Sequence, residues 1–284
     1  MRVGVLVPQA PEDRAGRMPS WTDVVAFAEH AEAVGLDSLW VCDHFVSSIP
    51  GTPFDGIHEG WTILSALAAR TSRVELGTLV MCTGYRSPGL LAKMAATLDE
   101  VSGGRFLLGV GAGWHESEYE AFGYSTDRRV DKFEEAVQII APLLRGETVT
   151  FAGGHYWTDQ AVLLPSPKRR IPVLVGAKGL RMLGLTARHA DAWNTAWFAR
   201  PDDELRRRLD VLESALDAEG RDPATLRRTV GMHIERALET PPEQHASALD
   251  AFEALGFDDA IVVLEPMTSS SLDRLAEAVR LRGR

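Results

Sequence analysis

The stretch from Val74 to Gly123 constrains this chain more than any other, because it spells one complete strand–helix–strand unit. Val74 to Val80 is short and rich in β-branched residues and leucine, the composition of a buried strand. Ser87-Pro88 is a helix start, since a serine side chain can accept an orphan N–H and proline fits the first helical position. Leu90, Met94, Leu98 and Val101 then recur at helical spacing, and Gly103-Gly104 stops the helix. Phe106 to Val110 is too short and too continuously apolar for a surface helix, so it reads as a buried parallel strand. Its exit, Gly111 to Glu116, is a loop whose glycines let a ligand approach the backbone.

The same alternation runs through the whole chain. Strands are expected at Val3–Val7, Ser38–Cys42, Val74–Val80, Phe106–Val110, Ile171–Val175, Asp191–Asn194, Thr229–Ile234 and Ala260–Leu264. Helical patterns lie between and after them, at Thr22–Val34, Trp61–Arg70, Pro88–Ser102, Val130–Leu144, Leu180–His189, Asp202–Ala218, Pro242–Leu255 and Ser271–Leu281. That count predicts an α/β chain folded as a (β/α)8 TIM barrel. An open doubly wound sheet would show a Gly-rich turn after the first strand, where this chain has Pro8-Gln9-Ala10. Residues 147–170 break the alternation with two short β-type runs around Gly153-Gly154, which predicts a small hairpin inserted before the fifth strand. No linker composition divides residues 1–284, so one domain is expected.

Composition narrows the functions. A net charge of −10 gives no basic field to recruit nucleic acid or an anionic membrane surface, and neither partner is expected. The two cysteines, Cys42 and Cys82, make no metal or redox spacing, and the N-terminus enters a strand without a signal-peptide core. No apolar run approaches a membrane span. A cytoplasmic protein is the expectation.

In a barrel the loops after the strands build the active face, so residues there come first. Asp43-His44 could be an acid–base pair, with the carboxylate orienting the imidazole; it could equally be a cap beside a packing histidine. Gly109-Val110-Gly111-Ala112-Gly113 does not complete a dinucleotide fingerprint. Its glycines serve either tight packing or a flat ring lying against them, and Trp114 and His115, directly following, favour the ring. Gly176-Ala177-Lys178-Gly179-Leu180-Arg181 opens a helix whose N-terminal N–H groups, with Lys178 and Arg181, could hold an anion; an ordinary solvated loop is the other reading. No histidine spacing supports a metal site, so none is assigned.

Several of these pieces resemble the luciferase-like monooxygenase superfamily, in particular its oxidoreductases that use the deazaflavin coenzyme F420. They are residues 39–45, 76–80, 85–88, 92–99, 103–105 and 109–114, in order over the first 125 residues. The resemblance implies hydride transfer between the deazaflavin and a small organic substrate. His44 would be the acid or base and Asp43 its orienter. Leu79, Val80, Met81, Gly111, Gly113, Gly176, Ala177, Lys178, Gly179, Arg181 and Asn194 would bind the cofactor, with Trp114, His115 and Phe45 toward the substrate. It also implies a bulge and a non-proline cis peptide at Leu79–Val80, turning Met81 and Cys82 to the pocket. Relatives carry an acidic residue where Trp114 stands, and this departure favours an apolar or aromatic substrate over a sugar phosphate. The same fold with FMN in a two-component monooxygenase is the alternative, and a metal-dependent barrel hydrolase the more remote one. A homodimer is left open.

Overall fold

The computed structural model describes residues 1–11, 16–47 and 55–282. Its strands are β1 (Arg2–Leu6), β2 (Ser38–Val41), β3 (Glu75–Thr78), β4 (Met81–Cys82), β5 (Phe106–Gly111), β6 (Val149–Ala152), β7 (Trp157–Ala161), β8 (Val173–Gly176), β9 (Ala192–Phe198), β10 (Arg227–Ile234) and β11 (Asp259–Leu264). The parallel order runs β3-β2-β1-β11-β10-β9-β8-β5, and β3 also pairs with β5, so the sheet closes into the expected barrel. The short β4 continues the line of β3 along β5. Helices α1 (Trp21–Ala33), α2 (Gly60–Arg70), α3 (Pro88–Ser102), α4 (Glu116–Ala121), α5 (Arg129–Leu144), α6 (Leu180–His189), α7 (Asp203–Ala218), α8 (Pro242–Glu253) and α9 (Ser269–Arg282) follow the strands. No helix among the described residues is long and apolar enough to cross a membrane.

Three elements depart from the pattern read in composition. The strand expected over 74–80 is interrupted, and there the cis peptide and bulge that the family resemblance implied at Leu79–Val80 are present between β3 and β4. Thr78 marks the break: its hydroxyl donates to the Gly109 carbonyl at 2.8 Å and accepts from the Gly109 N–H at 2.9 Å, in place of main-chain ladder bonds. Four residue steps from Gly77 to Met81 answer three from Leu107 to Val110, which is a bulge. The second departure is α4, a six-residue helix in what reads as loop. The third is β9, which continues past Asn194 to Phe198 and contains a second non-proline cis peptide at Ala196–Trp197.

Packing separates into two layers. One apolar layer lies between sheet and helices, where Val5, Leu39, Leu76 and Leu108 meet the inner faces of the helices. A smaller one fills the barrel interior, with Leu6, Trp40, Leu107, Leu174, Ala192 and Ile261. Trp40 is fully buried, its indole N–H donates to Ser38 Oγ at 2.8 Å, and a Cβ on Gly77 would overlap its ring. The inserted hairpin β6–β7 is antiparallel, as expected, and is tied to α5: Glu135 accepts the N–H groups of Gly154, His155 and Tyr156 at 2.7–2.8 Å.

Gly103-Gly104-Arg105 has a clear mechanical role. Gly103 ends α3 in the left-handed conformation at φ 69°, and the chain then delivers Arg105 to the end of α2. Its guanidinium donates to the carbonyls of Ala68, Thr71 and Val74, satisfying groups that the helix end leaves orphaned. Arg105→Met should therefore lower the unfolding free energy by about 2–4 kcal/mol, read from denaturant titration with an unchanged m-value. A loss below about 0.5 kcal/mol would show that water replaces the guanidinium there.

Candidate active site

The break between β3 and β4 makes the floor of a cavity of about 370 Å³ at the carboxyl ends of the strands. Leu79 and Val80 line it. A Cβ on Gly111 would come within 2.6 Å of Val80 Cγ2, and one on Gly176 within 3.1 Å of Val80 Cγ1. A Cβ on Gly109 would overlap the Thr78 carbonyl oxygen, and one on Gly113, at φ 76°, the Tyr119 hydroxyl. The Gly-rich strand end therefore makes room for the displaced β3–β4 segment and for Tyr119, the tight-packing role, while Gly111 and Gly113 also line the cavity. Met81 is corrected: it is fully buried in the layer under the helices and does not reach the cavity, whereas Cys82 does.

The cavity collects most of the other positions singled out in the sequence. From β2 come Asp43 and His44; from β5, Gly111, Gly113, Trp114 and His115; from β8, Gly176, Ala177 and Lys178; from β9, Asn194. Three positions lie elsewhere. Gly179 caps α6 at an exposed position with no neighbour where a Cβ would stand. Arg181 points away, in ion pairs with Asp131 at 2.6 Å and Glu134 at 2.7 Å. Phe45 belongs to an aromatic cluster, with ring centroids 4.5 Å from Tyr85 and 4.6 Å from Phe122, and does not line the cavity.

The expected Asp43–His44 pair is replaced by two separate pairs. Asp43 is buried and takes a bidentate bond from Arg86, 2.7 and 2.9 Å, plus the Cys82 N–H at 2.8 Å. Burial pushes its carboxyl above the ordinary value while Arg86 pulls it back. His44 instead places Nδ1 3.0 Å from Glu118 Oε2. Glu118 was not singled out in the sequence. It has no exposed surface and also accepts from the Tyr85 hydroxyl at 3.1 Å, from the Val46 N–H at 3.0 Å and from the Phe45 N–H. Burial raises a carboxyl, but the bond from His44 and the two N–H groups outweigh it and hold Glu118 below the ordinary glutamate range.

An ionised carboxylate has only acceptors, so His44 must donate from Nδ1. Nε2 is then the atom that can take or give a proton toward the cavity. His115 caps α4 by accepting the Glu118 N–H at Nδ1, 3.2 Å, so the same residue that pairs with His44 is set in place by the strand exit. Burial pushes the Cys82 thiol up to about 11, which keeps it protonated and poorly nucleophilic. Among the described residues no group of three or more His, Cys, Asp and Glu side chains is arranged to hold a metal ion.

The luciferase-like monooxygenase family model matches residues 1–255. The chain belongs to that family. A phthiodiolone/phenolphthiodiolone dimycocerosates ketoreductase of Mycobacterium tuberculosis is 33% identical over 230 residues, covering 74% of this chain and 60% of the relative. An F420-dependent glucose-6-phosphate dehydrogenase of Kineococcus radiotolerans is 33% identical over 223 residues, 77% of this chain and 64% of the relative. The chain thus spans about 60% of the length of these curated relatives. An F420-dependent secondary alcohol dehydrogenase, solved with an F420-acetone adduct, superposes with a TM-score of 0.83 over 99% of both chains at 20% identity, a likeness of fold.

The depressed Glu118 carboxyl makes a signed prediction. Its contribution to stability is fully present above the unfolded value of 4.5 and is lost as pH falls through the lower folded value. Glu118→Gln should be less stable than the parent at about pH 7, and the gap should narrow as pH falls below about 4.5. Chemical denaturation at stepped pH measures it; a gap that is constant with pH would show that Glu118 carries no charge at neutrality.

Proposed function

We propose that this protein is an oxidoreductase that binds F420 in the cavity and interconverts a carbonyl compound and its alcohol. The observation that carries the reading is the imidazole of His44, backed at Nδ1 by a buried carboxylate and bordering an apolar-floored cavity. The residues present fit the cofactor. About 370 Å³ lies within the range of small-molecule and cofactor sites. Leu79 and Val80 offer a ring an apolar bed, and Lys178, just before the N-terminus of α6, brings positive charge for an anionic side chain. The F420-dependent and ketone-reducing relatives support the same choice.

When bound, a reduced deazaflavin supplies a hydride. His44 holds a proton at Nε2 and gives it to the substrate oxygen as the adjacent carbon is reduced, or takes it back in the reverse direction. Glu118 fixes the tautomer and offsets the charge of the imidazolium. Arg86 and Asp43 hold the strand end from which His44 projects. Leu79, Val80 and Ala177 keep water from the reacting atoms. The same reading keeps the protein in the cytoplasm, where Cys42 and Cys82 remain thiols.

Equilibrium titration should show tighter binding of F420 than of FMN; equal or stronger FMN binding with oxygen-dependent turnover would replace this reading with a monooxygenase. His44→Ala should lower kcat by about a hundredfold or more while cofactor Kd moves by less than about threefold. Near-normal kcat in that variant would reduce His44 to a packing residue.

A further inference from the structure

Trp114 and Trp197 stand exposed at the cavity, at 58% and 43% of their surface, although Trp40 and Trp193 in the same chain are fully buried. Trp114 follows β5 and Trp197 lies in the end of β9, where its ring leans over Gly231 of β10; both indoles line the same cavity, whose wall between β5 and β9 is β8. Large apolar rings left at the border of a cavity mark a surface that a ligand covers. Trp114 also meets the His44 ring edge-on, 5.6 Å between centroids, which puts one indole beside the proton-carrying imidazole.

The remaining lining sets the chemistry of that ligand. Ala112, Val130, Met182 and Ala196 add apolar surface near the two indoles. The carboxylates of Asp43 and Glu118 are closed off by Arg86 and by His44 with its neighbouring donors. Lys178 is the one lysine or arginine among the described lining residues, so no pair of fixed cations is present to hold a phosphate dianion on the substrate side. An uncharged molecule with a flat apolar ring satisfies this lining; a sugar phosphate does not.

We propose that the substrate is an uncharged aryl ketone, or the matching secondary alcohol, with its ring against Trp114 and Trp197 and its oxygen at His44 Nε2. This rests on the F420-dependent carbonyl–alcohol reading above. In the forward direction the ketone gains two electrons: its carbon takes a hydride, its oxygen takes the Nε2 proton, and the reduced deazaflavin is the electron donor. His44 is left neutral with its remaining proton on Nδ1 toward Glu118, and is reprotonated from water.

The test is fluorine NMR of the fluorotryptophan-labelled chain, whose seven tryptophans give assignable signals once Trp114→Phe and Trp197→Phe have each removed one. Both positions are exposed, so the phenylalanine variants are expected to fold. An acetylnaphthalene is titrated with and without F420, and glucose 6-phosphate serves as the comparison. The Trp114 and Trp197 signals should both move with the ketone, and neither with the sugar phosphate. In steady state, Trp114→Ala and Trp197→Ala should each raise KM for the ketone about tenfold, with kcat falling less than KM rises, and phenylalanine at either position should restore most of it. If the ketone leaves either signal unmoved in both conditions, or glucose 6-phosphate moves both, the proposal is overturned. F420 binding is read separately from its own absorbance, so failure of the cofactor reading is distinguishable from failure of the substrate class.

Discussion

A carboxylate with no exposed surface, Glu118, makes the interaction on which the geometry of the cavity wall depends. Burying such a charge costs several kcal/mol unless every lone pair finds a donor. Here it finds an imidazole, a phenol and two main-chain N–H groups. Two of those donors, Phe45 and Val46, belong to the loop after β2, and the carboxylate itself belongs to α4, which follows β5. One anion therefore joins segments 72 residues apart in sequence at Val46 and Glu118. The same contact orients His44. Removing it would free the loop and leave Nδ1 without its acceptor, so fold and chemistry share a single contact.

The second constraint is the register between β3 and β5. Thr78 bonds both main-chain groups of Gly109, which works only because Gly109 has no side chain. The bulge that follows sends the Val80 side chain across the bare backbone of Gly111 and Gly176, and so brings three strands to one floor. Leu79 and Val80 are residues that would ordinarily sit in an unbroken strand. Their position here is set by the neighbours, which is why local composition alone could not place them.

The barrel was legible because alternating strand and helix patterns reflect burial on both faces of every strand, a constraint written along the whole chain. The site was legible only as a set of loops. Asp43 and His44 looked like a pair, but both line the cavity with different partners, Arg86 and Glu118 respectively, which lie 43 and 74 residues away in sequence. Alternation along β4 sends Met81 under the helices and Cys82 to the cavity. Glu118 escaped notice because Glu116-Ser117-Glu118-Tyr119-Glu120 resembles an exposed acidic turn, and α4 is too short to show apolar periodicity. Arg181 looked like an anion ligand for the opposite reason: its acidic partners lie on α5, far away in sequence.

The two buried carboxylates of the site differ in the partners that hold them. Asp43 is neutralised by Arg86, whose guanidinium keeps its proton at any working pH, so that pair can only hold position. Glu118 is paired instead with His44, whose Nδ1 lies 3.0 Å from its Oε2. With a neutral His44 beside it, Glu118 would still have three other donors and the Nδ1–H, so its negative charge is solvated by protein. A carboxylate with only the histidine for a partner would then be stranded in a low-dielectric site, and the proton would be hard to release. The Tyr85 hydroxyl and the two main-chain N–H groups thus do more than secure a loop: they solvate the Glu118 carboxylate whether or not His44 carries a charge.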